Sequence, residues 1–380
     1  MAPEFLRSLP GDPDELRVRP TIWDTLRIDL PLLLLLLVIA GYGLFVLYSA
    51  TGQNSARLLR QCVYLLVAFG AMFIIAQVRV KSILALSPWG YAVGVVLLAL
   101  LPLWGVEVNG ARRWLDLPGL PRFQPSELMK LAVPLTTAAY LARGLLPPRS
   151  SGLFASVLII ALPCALVGLQ PDLGTALLIG ISGLLVIWLA GIQWRHIVTA
   201  LALFATAAWP LWQFVMHDYQ RQRILTLFNP ESDRLGAGWN IIQSKTAIGS
   251  GGLSGKGWLN GTQSQLDFLP ESHTDFIIAV LAEEFGLLGV LTLLMLYVLV
   301  VMRGAYISIS AKDAFGRLVA GSITFTFFVY VVVNVAMVSG LLPVVGVPLP
   351  LVSYGGTSLV TLLAGFGILM SIRSESGPLR

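Results

Sequence analysis

LPLLLLLLVIAGYGLFVLY, residues 30–48, carries no charged side chain. It is about as long as the roughly 20 apolar residues that a helix needs to cross a hydrocarbon core of ~30 Å. Similar stretches recur along the 380 residues. The chain is 56% hydrophobic and only 12% charged, with mean hydropathy +0.80. Soluble domains carry about 25% charged residues, so the composition excludes a water-soluble fold. The first apolar run lacks a small-residue cleavage site after a short core and reads as a span, not a removed signal. Cys62 and Cys164 fall inside apolar segments and read as small buried hydrophobes, with no disulfide frame.

Apolar periodicity and length predict an all-α polytopic membrane protein with about ten transmembrane helices. They lie near 30–50, 61–78, 87–105, 127–143, 152–169, 172–192, 196–216, 274–302, 317–340 and 350–372. With the N-terminus inside, more than half of the basic residues fall in inside loops. Lys130 lies in a span, and half of those outside sit in one long loop, 217–273. That asymmetry predicts both termini in the cytoplasm. The expected organisation is a cytoplasmic tail at 1–28, one membrane domain at 29–375 and a short tail at 376–380. The polar segments then share the outer face: 106–127, QPD at 170–172, the long loop, and the proline-broken GLLPVVGVPLPLVSYGGTS at 340–358.

The site candidates follow from the cost of polar groups at membrane depth. In PESHTDFIIAVLAEEFGLLG (270–289) a helix is expected to start near Ser272 or Thr274. Asp275 would then share a small-residue face with Ala279, Ala282 and Gly286, which places it toward protein or a cavity. It reads either as a first-turn acid favoured by the helix dipole or as a functional carboxylate. Glu284, deeper on the other side, reads as functional or as a buried partner for a basic residue. Pro125 opens a helix that carries Glu127 and Lys130 three residues apart, able to neutralise each other or to line a cavity. Arg112 and Arg113 beside Trp114 suit phosphate contact or interface anchoring. Asp172 marks a helix start, a structural role. YQRQRILTLF suits a helix lying along the interface.

GSGGLSGKG fails the phosphate-loop pattern. Ser250 replaces its first Gly and Gly257 follows the Lys, so the stretch reads as mobile, with Lys245 and Lys256 as phosphate contacts. Residues 340–358, including Ser353, read as a re-entrant cavity wall, since irregular backbone survives at that depth only when buried in protein or lining a cavity. His196, His217 and His273 are not spaced as a zinc set. A carboxylate base beside cations suits transfer onto a hydroxyl with a phosphate leaving group.

NGARRWL, FQPSE, QPDLGT, MHDYQRQR, NPESD, GAGWNIIQSKTAIGSGGLSGKG, GTQSQLDFLPESHTDFIIAVLAEEFG and MVSGLLPVVGVPLPLVSYGG occur in that order. Through them the chain resembles the shape, elongation, division and sporulation (SEDS) family over about residues 25–375; the first twenty-odd residues match nothing in it. The resemblance implies a peptidoglycan glycosyltransferase that polymerises lipid II on the outer side of the bacterial plasma membrane during cell-wall elongation. It implies that Asp275 is the catalytic residue, that Glu127 and Lys130 line a central cavity, and that Trp114 lies in a region needed for activity. It also implies a class B penicillin-binding transpeptidase as partner, beside other elongation-complex proteins. A divalent cation, Mg or Mn, at the diphosphate is compatible with it, although no fixed ligand set is visible. Neither the residues nor the resemblance calls for nucleic acid. The rival expectation is a lipid II flippase, which needs matching polar features on the inner face.

Overall fold

The structure is a computed structural model that describes residues 26–376, apart from 109–110, 117–121, 217, 234–235 and 267. Most of the expected tails, and His217, lie outside the described residues. Within them the elements are α1 (Leu30–Ala50), α2 (Ser55–Ala76), α3 (Val80–Trp104), β1 (Val106–Val108) and β2 (Ala111–Trp114). There follow α4 (Pro125–Leu141), α5 (Ser150–Gly168), α6 (Leu173–Leu189), α7 (Trp194–Pro210), α8 (Asp218–Phe228), α9 (Ala237–Gly251) and α10 (Thr262–Gln265). The chain closes with α11 (Ile277–Ser310), α12 (Ala314–Val338) and α13 (Thr357–Glu375). Short polar side chains set several starts. Asp29 accepts from Leu32 N at 3.0 Å, Asn54 caps α2, Asp172 caps α6 and Asp313 caps α12.

Each expected span contains a helix, and the protein is an all-α membrane protein. Eight helices among the described residues are long and apolar enough to cross a bilayer. The other two, α4 and α6, have 17 residues each, about 26 Å of helix, so length alone does not make them spans. The one β element described is the ribbon β1–β2, with a bulge at Val106/Glu107. It lies in the 106–124 connection, where the sequence pattern showed only a polar loop.

The core lies where α11 packs on α1 and α12, α12 on α6, and α2 on α13. Helix α7, by contrast, buries none of its residues. Cys62 is exposed on α2 and Cys164 is half-buried, so Cys62 corrects the expectation of a buried thiol.

The expected continuous helix from Ser272 is not what forms. Residues 270–276 are turns, and α11 begins only at Ile277. The helix then breaks at Gly286, whose φ of 64° and ψ of −161° are non-helical. A face shared by Asp275 and Gly286 therefore does not exist. The break frees the N–H groups of Leu287 and Leu288 and the carbonyls of Glu283 and Glu284, which an unbroken helix would pair with one another. Residues 252–257 take all four. Leu287 N donates to Gly252 O at 3.0 Å and Leu288 N to Leu253 O at 3.1 Å; Lys256 N and Gly257 N donate to the carbonyls of Glu283 and Glu284, each at 3.0 Å. GSGGLSGKG, expected to be mobile, is thus the hydrogen-bonding complement of a helix break at membrane depth, where unpaired backbone is costly.

Glycine is required at this junction. A Cβ on Gly255 would lie 2.1 Å from Glu284 O, and one on Gly286 2.4 Å from Gly255 N; both residues have positive φ. A Cβ on Gly41 in α1 meets nothing within 4 Å. Gly255→Ala and Gly286→Ala are expected to cost at least about 2–3 kcal/mol, seen as a lowered thermal midpoint in detergent. Gly41→Ala should be silent, and equal behaviour of all three would refute the junction.

Candidate active site

The loops between α1 and α2, α3 and α4, α5 and α6, α7 and α11, and α12 and α13 meet at one end of the bundle. Contacts among them are direct. Ser272 Oγ donates to Ala50 O at 3.2 Å, Gln265 Nε2 to Ser49 O at 3.3 Å, and Arg113 to Gln170 O and Pro171 O at 3.1 and 2.6 Å.

Asp275 sits in the turn before α11, half-buried. Three successive carbonyls fix that turn. His273 O accepts from Tyr354 N at 2.9 Å, Thr274 O accepts from Ser353 Oγ, and Asp275 O accepts from Asn334 Nδ2 at 2.9 Å. Asn334, fully buried, also donates to Val347 O at 2.7 Å. The proline-broken segment is therefore laced to the acid-bearing turn. As expected of irregular backbone at that depth, it is buried in protein through Val347, Leu349, Leu351 and Val352.

The carboxylate of Asp275 lies beside Gly346, whose added Cβ would stand 3.5 Å from Oδ2. Burial, and then the negative charge of Glu271, push its pKa up to about 6, while Arg223 opposes the shift. His273 is held below its ordinary value by burial and by Arg57, against Glu271. Arg57, Arg223, Glu271 and Asn334 are the neighbours that sequence reasoning missed as site residues. The lone Asn in FVYVVVNVAMV was a usable signal, because an amide inside an apolar span needs a partner. The arginines gave none; only the fold carries Arg57 of α2 toward His273 and Arg223 of α8 toward Asp275.

Glu127 and Lys130 come together as an ion pair at 2.6 Å, with side chains 6% and 12% exposed. The Lys130 ammonium also lies 5.7 Å from the centre of the Tyr330 ring. Together with Tyr330, Pro348, Pro350 and Ser353 they line a cavity of about 70 Å³. Asp275 is not among the lining residues. Ser353 joins the two regions, lining the cavity while holding the Thr274 carbonyl.

The other expected residues divide. Arg113 is tied to the 170–172 turn and lies 3.8 Å from Asp172, which also accepts from Gln124 Nε2 at 3.2 Å. Arg112 donates to Pro102 O at 3.1 Å and faces Glu107 at 3.7 Å. Trp114 is half-buried in β2. Lys245 is exposed against Gly340, and among the described residues it has no hydrogen bond or ion pair. Lys256, expected as a phosphate contact, is held in an ion pair. Its ammonium is 2.6 Å from Glu283, which is fully buried and also accepts from Thr262 Oγ1 and Gln263 N. Glu284, also fully buried, is bonded to the Ser49 hydroxyl; its partner is not a basic residue.

The comparisons decide the relationship. The family model for cell cycle proteins of the FtsW, RodA and SpoVE type matches residues 29–377. The chain belongs to this family. It is 51% identical to the peptidoglycan glycosyltransferase MrdB of Escherichia coli K12 over 94% of this chain and 96% of that one. It is 35% identical to a probable peptidoglycan glycosyltransferase FtsW of Geobacter sulfurreducens, over 92% and 96% of the two chains. A chain solved in a peptidoglycan synthase complex that coordinates polymerization and crosslinking superposes with TM-score 0.80 at 32% identity, covering 92% of this chain and 98% of that one. Rod-shape-determining RodA of Thermus thermophilus superposes with TM-score 0.69 at 29% identity and the same coverage.

The Lys256–Glu283 pair carries a testable cost, since removing one partner strands a buried charge. Lys256→Met is expected to lose about 3 kcal/mol, read as a drop in thermal midpoint. Adding Glu283→Gln should recover most of it. A double variant as unstable as the sum of its singles would show that the pair is not coupled.

Proposed function

We propose that this member of the FtsW/RodA/SpoVE family is a peptidoglycan glycosyltransferase, polymerising lipid II for cell-wall elongation and maintenance of rod shape. The observation that carries the mechanism is Asp275. It is a half-buried carboxylate on a turn pinned at three carbonyls, with its pKa raised to about 6 and an arginine close enough to oppose that rise. Such a group is ionised at neutral pH yet closer to the operating pH than an exposed Asp, as a general base requires.

The donor is the growing glycan on undecaprenyl diphosphate, and the acceptor is the 4-hydroxyl of the terminal GlcNAc of lipid II. Asp275 takes the hydroxyl proton as that oxygen attacks the anomeric carbon of the donor MurNAc. The bond from that carbon to the diphosphate oxygen breaks with its electron pair. The α-linked donor becomes a β-1,4 bond with inversion, and the lipid diphosphate departs. Exposed Lys245, and Arg57 near the pinned turn, supply positive charge for the phosphates, ahead of Lys130, Arg113 and Lys256, which face carboxylates. The Glu127–Lys130 cavity serves as a substrate-positioning wall.

Among the described residues no three His, Cys, Asp or Glu side chains converge as a metal site. A Mg or Mn ion at the diphosphate would draw most of its ligands from the substrate phosphates and water, with one or two carboxylates from the chain. A class B penicillin-binding transpeptidase is the proposed partner, supported by the similarity to a chain of a synthase complex. Both termini are proposed to be cytoplasmic, with Asp275 at the outer face; the distribution of Lys and Arg supports this.

Asp275→Asn should abolish polymer formation from labelled lipid II, at least about 100-fold, with folding and partner binding intact. Normal polymerisation by that variant would remove Asp275 as the base. The pH profile gives a second check. Because only the deprotonated form accepts a proton, the rate should fall as pH drops through about 6. Glu271 raises the Asp275 value, so Glu271→Gln should move that acidic limb to lower pH, and an unmoved limb would contradict the assignment.

A further inference from the structure

At the end of the bundle opposite Asp275, α1, α11 and α13 gather a charged cluster that glycosyl transfer does not use. Asp29, 6% exposed at the start of α1, accepts from Nε and Nη2 of Arg303 at 3.0 and 2.6 Å. Nε of Arg373, from the last turn of α13, lies 3.9 Å from the same carboxylate. Both guanidinium groups lie over the Tyr306 ring, 5.0 and 5.5 Å from its centre. Two guanidinium groups thus share one carboxylate, and positive charge is left over. Among the described residues the guanidinium of Arg373 donates no hydrogen bond and Nη1 of Arg303 has no acceptor.

Beside this cluster an open groove of about 500 Å³ runs between α1 and α11. Leu34, Leu35, Leu299 and Met302 line it, and Arg303 and Tyr306 stand at its charged end. Leu34 and Met302 are more than half exposed, on helices long and apolar enough to span a bilayer. An apolar channel that ends in guanidinium donors with unfilled capacity is complementary to one class of molecule. We propose that the groove binds an anionic phospholipid, its phosphate on Arg303 and Arg373 and one acyl chain along Leu34, Leu299 and Met302. Guanidinium groups match phosphate oxygens in geometry as well as charge. Basic pockets between transmembrane helices suit acidic head groups.

The test is native mass spectrometry of the full-length purified protein, titrated with palmitoyl-oleoyl phosphatidylglycerol or the matched phosphatidylcholine. A phosphatidylglycerol adduct should survive collision energies that strip phosphatidylcholine. Arg373→Gln, which leaves the Asp29–Arg303 pair intact, should lower its occupancy about fivefold, equivalent to roughly 1 kcal/mol. Met302→Trp, which fills the groove without touching the charges, should lower it as well. Millimolar glycerol 3-phosphate should not displace it. Equal retention of the two lipids, or retention unchanged in both variants, overturns the proposal. Absence of any retained adduct overturns it too, as occupation by the chain's own acidic N-terminal segment would produce. Displacement by glycerol 3-phosphate would make this an anion site with no acyl component and overturn the lipid assignment.

Discussion

Four backbone hydrogen bonds that leave a helix at Gly286 and re-form with residues 252–257 hold the rest of this structure in place. An unbroken α11 would need nothing from the loop before it. Once the helix breaks, the carbonyls of Glu283 and Glu284 and the N–H groups of Leu287 and Leu288 need partners that lipid cannot supply. The long segment between α7 and α11 is thereby bound into the fold. Its glycines allow the backbone-to-backbone approach, and its lysine is drawn onto Glu283. Two adjacent glutamates that would otherwise be a severe burial cost become anchors, one held by an ammonium and the other by a hydroxyl.

The anchored loop returns to α11 through the turn that presents Asp275. That turn is held from the other side by residues 346–354, which are themselves irregular and take up bonds from Asn334, Tyr297 and Gln61. Two broken segments thus satisfy one another at the mouth of the bundle. The acid between them keeps a fixed backbone, with the residue only half-buried. Preorganisation of this kind is what a proton-accepting group needs. The opposite end of the bundle is organised by the same rule, with Asp29 capping one helix and anchoring two arginines from others.

Several expectations drawn from local pattern met a tertiary competitor. GSGGLSGKG has the composition of a mobile linker, and by itself it would be one; the helix break gives it partners. Lys256 looks like an available cation until Glu283 is placed beside it. Asp275 and Gly286 match a helical spacing, but the positive φ of Gly286 ends the helix that the spacing assumes. Where physics is local, reading was reliable: Asp172 caps its helix, Glu127 and Lys130 meet at i, i+3, and the prolines of 343–350 exclude regular helix.

From the sequence alone it follows that this chain lives in a membrane and where its long apolar helices fall. Hydropathy, charge and proline act over a few residues and can be read in order. Its long motifs also determined the family. Which cation meets which acid, which glycines replace a turn of helix, and which arginine stands near Asp275 depend on tertiary structure alone. Each of these depends on partners tens to hundreds of residues apart, and one lysine looks like any other until a buried carboxylate is placed within its reach.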